Sequence, residues 1–133
     1  MNLKKSNSTT PRIRIIQKLY NAVMNPDAEI DYPKSQYKKF IKDIVTGTLE
    51  RSELIEDKIK SHLYNDINLT KTDKLLKIIL FAAIFELMFK HNIPKKVIIN
   101  EYVVASEHFL EKIQIGYLNA ILDKIAKELR KDA

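Results

Sequence analysis

The chain lacks cysteine, and it has no apolar run long enough to cross a bilayer. Without cysteine there is no disulfide framework, no thiolate nucleophile and no zinc site of the cysteine type, which favours a reducing compartment. The longest uncharged apolar run, residues 78–85, is eight residues long, whereas a membrane-spanning helix needs about 20. No apolar segment follows the first lysines, so no secretory signal is indicated. We therefore expect a soluble, cytoplasmic protein.

The residues needed for catalysis are also scarce. Two glycines cannot build a glycine-rich phosphate loop. None of the three histidines has a second histidine one helical turn away with which to share a metal ion. We find no nucleophile beside a base and no motif for a cofactor. The sequence therefore predicts a protein that is not an enzyme and that uses no metal ion or cofactor.

Positive charge is concentrated at the N-terminus. The chain of 133 residues has a net charge of +6, and residues 1–26 contain five basic residues and no acidic one. A basic arm that runs into a helix is a typical electrostatic footprint for the phosphates of nucleic acid or of a membrane surface. We predict that residues 1–10 form a basic flexible arm and that residues 11–133 form one helical domain. A tail whose lysines serve only solubility is the alternative.

Apolar residues recur with the helical period of 3.6 throughout the chain, and no segment alternates as a strand would, so we predict an all-α fold. Proline in the first turn and capping residues mark the helix starts. Six helices are predicted: one from Thr10-Pro11 to the loop at 25–33, one from near Ser35, one from Ser52 to about 65, one from the Thr70 and Asp73 cap to Phe89, one from Pro94, and one after Gly116.

Two polar features lie in apolar surroundings. Glu86 is the one acid in the apolar segment "AAIFELMF", where a carboxylate is costly unless it is paired. We expect a structural role in which Glu86 accepts hydrogen bonds either from the amides that begin the Pro94 helix or from a basic side chain of the first helix. Asn100 and Glu101, in "IINE", form the polar side of an ordinary amphipathic helix on this reading.

Five segments together resemble the NusB family of bacterial transcription antitermination factors. They are "PRIRIIQKLY", "FIKDIVTGTLE", "AAIFELMF", "IPKKVIINEYVVASEHF" and "YLNAILDKI", in the family's order and spacing from Pro11 to about Lys127. The resemblance implies a single domain of about six to seven helices in two packed bundles. It also implies binding of the boxA element of nascent ribosomal RNA together with NusE, a small-subunit ribosomal protein, within a complex on RNA polymerase. A monomer or weak homodimer is expected.

The resemblance also implies roles for individual residues. It assigns RNA binding to the basic start of the chain and to two aromatic residues, with a partner contact at Tyr20 and structural roles elsewhere. The RNA-binding set is Lys4, Lys5, Arg12, Arg14, Phe109 and Tyr117, and the structural set is Glu86, Pro94, Asn100, Glu101 and Asn119.

This chain departs from the family pattern at three positions. The family usually has arginine where Phe81 lies, glycine where Ala120 lies and lysine where Glu107 lies. These departures predict a lower affinity for RNA or a greater dependence on the partner.

Three other functions were weighed against antitermination. Helical domains that resemble NusB also precede ribosomal RNA methyltransferases, but this sequence has no glycine-rich methyl-donor fold. A protein-only interaction module, with an incidental basic arm, remains open and would be separated by measuring RNA binding. A membrane-surface role is disfavoured because no lipidation signal is present.

Overall fold

The computed structural model describes residues 10–63, 68 and 72–130, and these residues form six helices and no strand. The all-α prediction is confirmed. Lys4, Lys5 and most of the predicted arm lie outside the described residues. The helices are α1 (Pro11–Met24), α2 (Lys38–Glu50), α3 (Ser52–Leu63), α4 (Lys74–Phe89), α5 (Lys95–Ser106) and α6 (Lys112–Leu129).

The central element is α4, which packs against all five other helices. α1 and α2 pack against each other and against α4, and α5 and α6 do the same, while α3 contacts α2, α4 and α6. This arrangement agrees with two packed helical bundles that share α4. α4 is apolar nearly all round, and its residues 78–87 are buried without a break. No helix in the described ranges has the length and apolar character needed to cross a membrane.

Two helices begin at residues other than those predicted. α2 begins at Lys38 rather than near Ser35, because the Ser35 carbonyl accepts a bond from the Lys38 amide in a turn that precedes the helix. α6 begins at Lys112, so Gly116 lies inside the helix rather than before it. A capping box sets this earlier start: the Glu111 side chain accepts from the Gln114 amide, and the Gln114 side chain accepts from the Glu111 amide.

Asp73 alone caps α4. Its carboxylate accepts a hydrogen bond from the Leu76 amide at 3.1 Å, so Asp73 is the capping residue rather than the third residue of a box. The expected partner in that box, Thr70, lies outside the described residues. α3 ends at Leu63, and residues 64–67, which contain its predicted end, lie outside them as well.

Gly47 allows α2 to approach α4 closely. A Cβ atom at this position would lie 2.2 Å from the Cζ atom of Phe85 and 2.5 Å from its Cε1 atom. The Phe85 ring is itself held by Phe89, whose ring centroid is 5.0 Å away. The missing side chain of Gly47 therefore makes room for an aromatic ring of the core.

Replacing Gly47 with alanine should destabilise the fold, because the Phe85 ring must move to admit the methyl group. Overpacking of this kind costs about 1–3 kcal/mol of unfolding free energy, measurable by urea denaturation. The matched control is Gly116→Ala, since no atom lies within 4 Å of the added Cβ. In that helix interior alanine should be favoured by up to about 1 kcal/mol. Adding Phe85→Leu to Gly47→Ala should restore part of the loss, and equal stability of the two single variants would contradict the packing argument.

Candidate nucleic-acid interface

A groove of about 830 Å³ lies between α1 and the segment that leads into α2. We call it the basic groove, because four cationic side chains line it and none of the described lining residues is acidic. The four are Arg14, Lys18, Lys34 and Lys38. Two of them lie on α1 at positions four residues apart, which places them on one face of the helix. The groove therefore concentrates positive charge at one surface.

Three aromatic side chains, Tyr20, Tyr32 and Phe109, also line the basic groove. The ammonium groups of Lys18 and Lys42 lie 5.5 and 5.9 Å from the centroid of the Tyr32 ring. Lys18 also donates a hydrogen bond to the backbone carbonyl of Asp31. These contacts hold the 31–32 segment against α1, so the groove combines cations with aromatic rings from separate parts of the chain.

Neutral polar groups complete the lining. Gln17 and Asn21 are one turn apart on α1, and both line the groove beside Ser35. The Ser35 hydroxyl oxygen is buried and has no hydrogen-bond partner among the described residues. Side-chain amides both donate and accept hydrogen bonds, as the edges of nucleobases do. The groove can thus form charge, stacking and hydrogen-bond contacts with one ligand.

Beneath this surface, Arg12 and Glu86 form a buried ion pair between α1 and α4. Arg12 Nε and Nη2 donate to Glu86 Oε2 and Oε1 at 3.1 and 2.6 Å, and the Tyr102 hydroxyl donates to Oε2. The Arg12 guanidinium lies 4.9 Å from the centroid of the Phe40 ring, and Arg12 Nη1 lies 3.7 Å from Glu101 Oε1. Arg12 is only 8% exposed, and Glu86 is fully buried. We expected Glu86 to accept hydrogen bonds either from the amides that begin α5 or from a basic side chain of α1. The structure shows the second, because the donor is Arg12 of α1.

The electrostatics of this cluster keep its donors protonated. Burial raises the pKa of Tyr102 well above its ordinary value, and the negative charge of Glu86 raises it further. Burial by itself lowers the pKa of Arg12, but the hydrogen bond and charge of Glu86 outweigh it, so the pKa of Arg12 is raised. Arg12 and Tyr102 therefore both remain donors to the carboxylate at neutral pH.

Arg130 fills a second structural role that the sequence analysis missed. Its Nε donates to the Leu87 carbonyl at 2.7 Å, Nη2 to the Lys90 carbonyl at 2.8 Å, and Nη1 to the Ile93 carbonyl at 2.9 Å. The last carbonyls of a helix have no partner within it, and this side chain provides one for the end of α4.

The predicted RNA-binding residues fall in different environments. Arg14 and Phe109 meet in the basic groove, together with Tyr20, the predicted partner contact. Arg12 does not join them, because its guanidinium is turned inward to Glu86. Tyr117 is 38% exposed on α6 and does not line this groove.

The residues predicted to have structural roles also lie in different environments. Pro94 precedes α5, and its carbonyl accepts from the Val97 and Ile98 amides at 3.0 and 3.1 Å. Asn100 and Asn119 are exposed on α5 and α6, respectively. Glu101, unlike these two, approaches the buried arginine of α1.

Sequence reasoning missed the second wall of the basic groove. Lys34, Lys38 and Tyr32 lie in "DYPKSQYKK", a segment rich in lysine and tyrosine. That local density of cations and aromatic residues was the available signal, but the acids that precede it made the region resemble an ordinary loop. The prediction therefore assigned the RNA-binding charges to the N-terminus alone.

Removing the Arg12 side chain should be strongly destabilising, because it leaves the Glu86 carboxylate buried without its ion pair. We expect Arg12→Ala to cost about 3–5 kcal/mol of unfolding free energy in urea denaturation. Tyr102→Phe removes one hydrogen bond to a charged group and should cost about 1.5–3 kcal/mol. Lys127→Ala is the control, since its pair with Asp123 at 3.7 Å is exposed and worth about 1 kcal/mol or less. If Arg12→Ala and Lys127→Ala had the same free energy of unfolding, the ion pair between Arg12 and Glu86 would not be what holds α1 in place.

Comparison with known proteins identifies the family. The sequence model of the NusB family matches residues 3–127. A protein described as "Transcription antitermination protein NusB" from Rickettsia bellii (strain OSU 85-389) is 41% identical over 90 residues, which cover 68% of this chain and 58% of the relative. The protein of that name from Rhodopseudomonas palustris (strain ATCC BAA-98 / CGA009) is 34% identical over 93 residues, 70% of this chain and 53% of the relative. In these two matches the chain spans little more than half of the relative's length.

Another relative and a solved structure match over nearly the whole chain. The NusB protein from Sphingopyxis alaskensis is 27% identical, and the match covers 98% of this chain and 99% of the relative. A solved structure of T. maritima NusB has a TM-score of 0.77 at 25% identity, and covers 92% of this chain and 95% of that chain. The resemblance seen in the sequence is confirmed, and the chain belongs to the NusB family of transcription antitermination proteins.

Proposed function

We propose that this protein binds the boxA element of nascent ribosomal RNA together with NusE and helps to assemble the antitermination complex on RNA polymerase in the cytoplasm. Outside that complex we propose a monomer or weak homodimer. No catalytic step and no cofactor form part of this proposal. The observation that supports it best is the basic groove, where four cations and three aromatic rings surround one surface.

The chemistry of the groove favours single-stranded RNA. Proteins that bind single strands combine a positive groove for the backbone with aromatic rings on which bases stack. Sequence-specific RNA recognition uses unpaired bases, whose edges are open to hydrogen bonds. Gln17 and Asn21 lie within reach of a base stacked in the groove, and the cations surround them. In this proposal the rings hold bases, the amides contact base edges and the cations neutralise phosphates.

The predicted residues take separate roles in this proposal. Arg14 contacts phosphate directly, and Lys4 and Lys5, which lie outside the described residues, neutralise further phosphates. Arg12 acts as a positioning residue, because its ion pair with Glu86 sets the orientation of α1, on which half of the groove is built.

The two predicted aromatic residues also have separate roles, one inside the basic groove and one outside it. Phe109 stacks on a base inside the groove, whose lining it shares. Tyr117, exposed on α6 outside that lining, contacts a further base of the same strand. Two stacking positions, one in the turn that follows α5 and one on α6, would give the bound strand a defined path across the surface.

RNA binding should depend on salt through the lysines of the groove. Each neutralised phosphate contributes about 0.7 to the slope of log affinity against log salt for a single strand, so Lys34→Ala with Lys38→Ala should flatten the slope by about 1.4. Fluorescence anisotropy of a labelled boxA RNA across a salt series measures this slope. The control removes the same charge elsewhere: Lys60→Ala with Lys127→Ala, both from exposed pairs within a single helix.

The two double variants decide between localised and diffuse binding. An unchanged slope in the control and a flattened one in the groove variant would support the groove. Equal flattening in both would show that charge over the whole surface attracts RNA. If the wild-type chain binds boxA RNA no better than a scrambled RNA of the same length, the proposed function is wrong.

The partner should strengthen RNA binding. Tyr20 lies half-buried in the lining of the basic groove, so a NusE contact at Tyr20 would place the partner beside the bound strand. Two weak sites joined on one surface bind more tightly than either alone. We expect NusE to tighten the dissociation constant for boxA RNA at least tenfold, about 1.4 kcal/mol, in the same anisotropy assay. Tyr20→Ala should reduce this gain, whereas equal affinity with and without NusE would make this chain a self-sufficient RNA binder.

A further inference from the structure

A second groove, of about 640 Å³, lies on the opposite face of α1. Its α1 residues, Leu19 and Val23, are one turn apart, and helical geometry places them roughly opposite the α1 residues of the basic groove. Leu49, Ile78 and Phe81 supply the rest of its apolar wall. We call this surface the apolar groove. It does not share a lining residue with the basic groove.

The apolar side chains continue beyond the groove onto the surface. Val23, which lines the groove on α1, is 42% exposed. Leu49, which lines the groove, and Met24, the chain neighbour of Val23, are also large exposed apolar residues. Contiguous exposed apolar surface is costly in water and marks interaction sites in folded proteins. A ligand confined to the groove would leave Met24, which does not line it, uncovered, whereas a longer protein segment would cover Met24 as well.

The mouth of the apolar groove has an excess of positive charge. Lys74 has its ammonium 3.6 Å from the Met24 sulfur, and Lys77 lies 5.8 Å from the centroid of the Phe81 ring. Neither lysine forms a salt bridge with a carboxylate among the described residues. The acid that lines the groove, Glu56, is paired with Lys60 at 2.9 Å. Glu56 also interacts with the charge of Lys77, but the two lysines outnumber the one acid of the groove, so an occupant with carboxylates would meet a net positive charge.

The walls of the groove are helices, so the described chain offers no strand edge there to which an extended peptide could add. A helix laid into a groove between helices is a common mode of recognition, with apolar anchors repeating on one face. We propose that the apolar groove docks an amphipathic helix of a partner protein, whose apolar face covers Val23 and Leu49 and whose carboxylates meet Lys74 and Lys77. This proposal goes beyond the proposed function and requires no RNA.

Two synthetic peptides test the proposal on the full chain. Both are amphipathic helices of about 14 residues, or about four turns, with the same apolar face, and one has glutamates where the other has lysines. In an NMR titration the glutamate peptide should shift the amide signals of the groove residues and bind at least tenfold more tightly than the lysine peptide. Lys74→Glu with Lys77→Glu should reverse that preference, which a purely apolar contact would not do.

A matched pair of variants locates the binding surface. Val23→Lys should weaken binding of the glutamate peptide at least tenfold, despite adding a positive charge, because it places a charged side chain in the apolar face. Val104→Lys is the control, since Val104 is a helical valine with almost the same exposure, 44%, and it does not line the groove. Thermal unfolding of both variants confirms that they are folded, and neither substitution should change RNA affinity.

Several results would overturn this inference. Signal changes outside the groove, equal affinity for the two peptides, or equal effects of the two valine variants would each exclude the proposed surface or its charge preference. Sedimentation measures the oligomeric state and so tests for a different occupant. If the wild-type chain self-associates and Val23→Lys abolishes the association, the groove binds a second copy of this chain instead. Failure of the proposed RNA function would not affect these results, because the peptides contain no phosphate.

Discussion

The carboxylate of Glu86 sets the strongest constraint on this fold. It lies near the C-terminal end of α4, a helix that is buried on nearly all sides, where an unpaired charge would be prohibitively costly. Arg12 from α1 and Tyr102 from α5 must both reach it, so the positions of those two helices on α4 are coupled to one side chain. Apolar contacts alone tolerate sliding and rotation, whereas a bidentate ion pair does not. In this protein we take the buried pair as a device that selects one arrangement of the helices.

The surface follows from this internal geometry. Once Arg12 points inward, the helical turn directs Arg14 and Lys18 toward the segment that precedes α2, and the basic groove forms between them. Arg130 adds a restraint at the same end of α4, where its guanidinium donates hydrogen bonds to the backbone carbonyls of Leu87 and Lys90. The core and the candidate RNA surface are therefore parts of one arrangement, and a change in the first is expected to alter the second.

Sequence reasoning predicted the helices, the burial of α4 and the need of Glu86 for a partner, because each depends on local pattern or on the cost of burying charge. It grouped Arg12 with Arg14, since both are basic and close in sequence. Two residues apart on a helix, they face different directions, and only the packing of α1 decides which of them turns inward. The prediction for α6 was wrong at its start, because Gly116 was read as a helix break, whereas the Glu111 and Gln114 capping box sets the beginning of the helix.

The second wall of the basic groove could not be inferred from local pattern, because Lys34 and Tyr32 meet α1 only through tertiary contacts. Phe81, at the position where the resemblance predicts arginine, also depends on tertiary packing: it is 8% exposed and forms part of the apolar groove.

The division of α1 between two grooves leaves this helix almost no face that is neutral to substitution. Its core positions, Ile13, Ile15 and Ile16, support the bundle, Arg12 holds the buried carboxylate, and the remaining turns supply one groove or the other. Helices on a protein surface usually keep a solvated side where sequence can drift. α1 lacks such a side, so in a library of single substitutions it should tolerate fewer changes than the other helices that surround α4, while α3 should accept the most change.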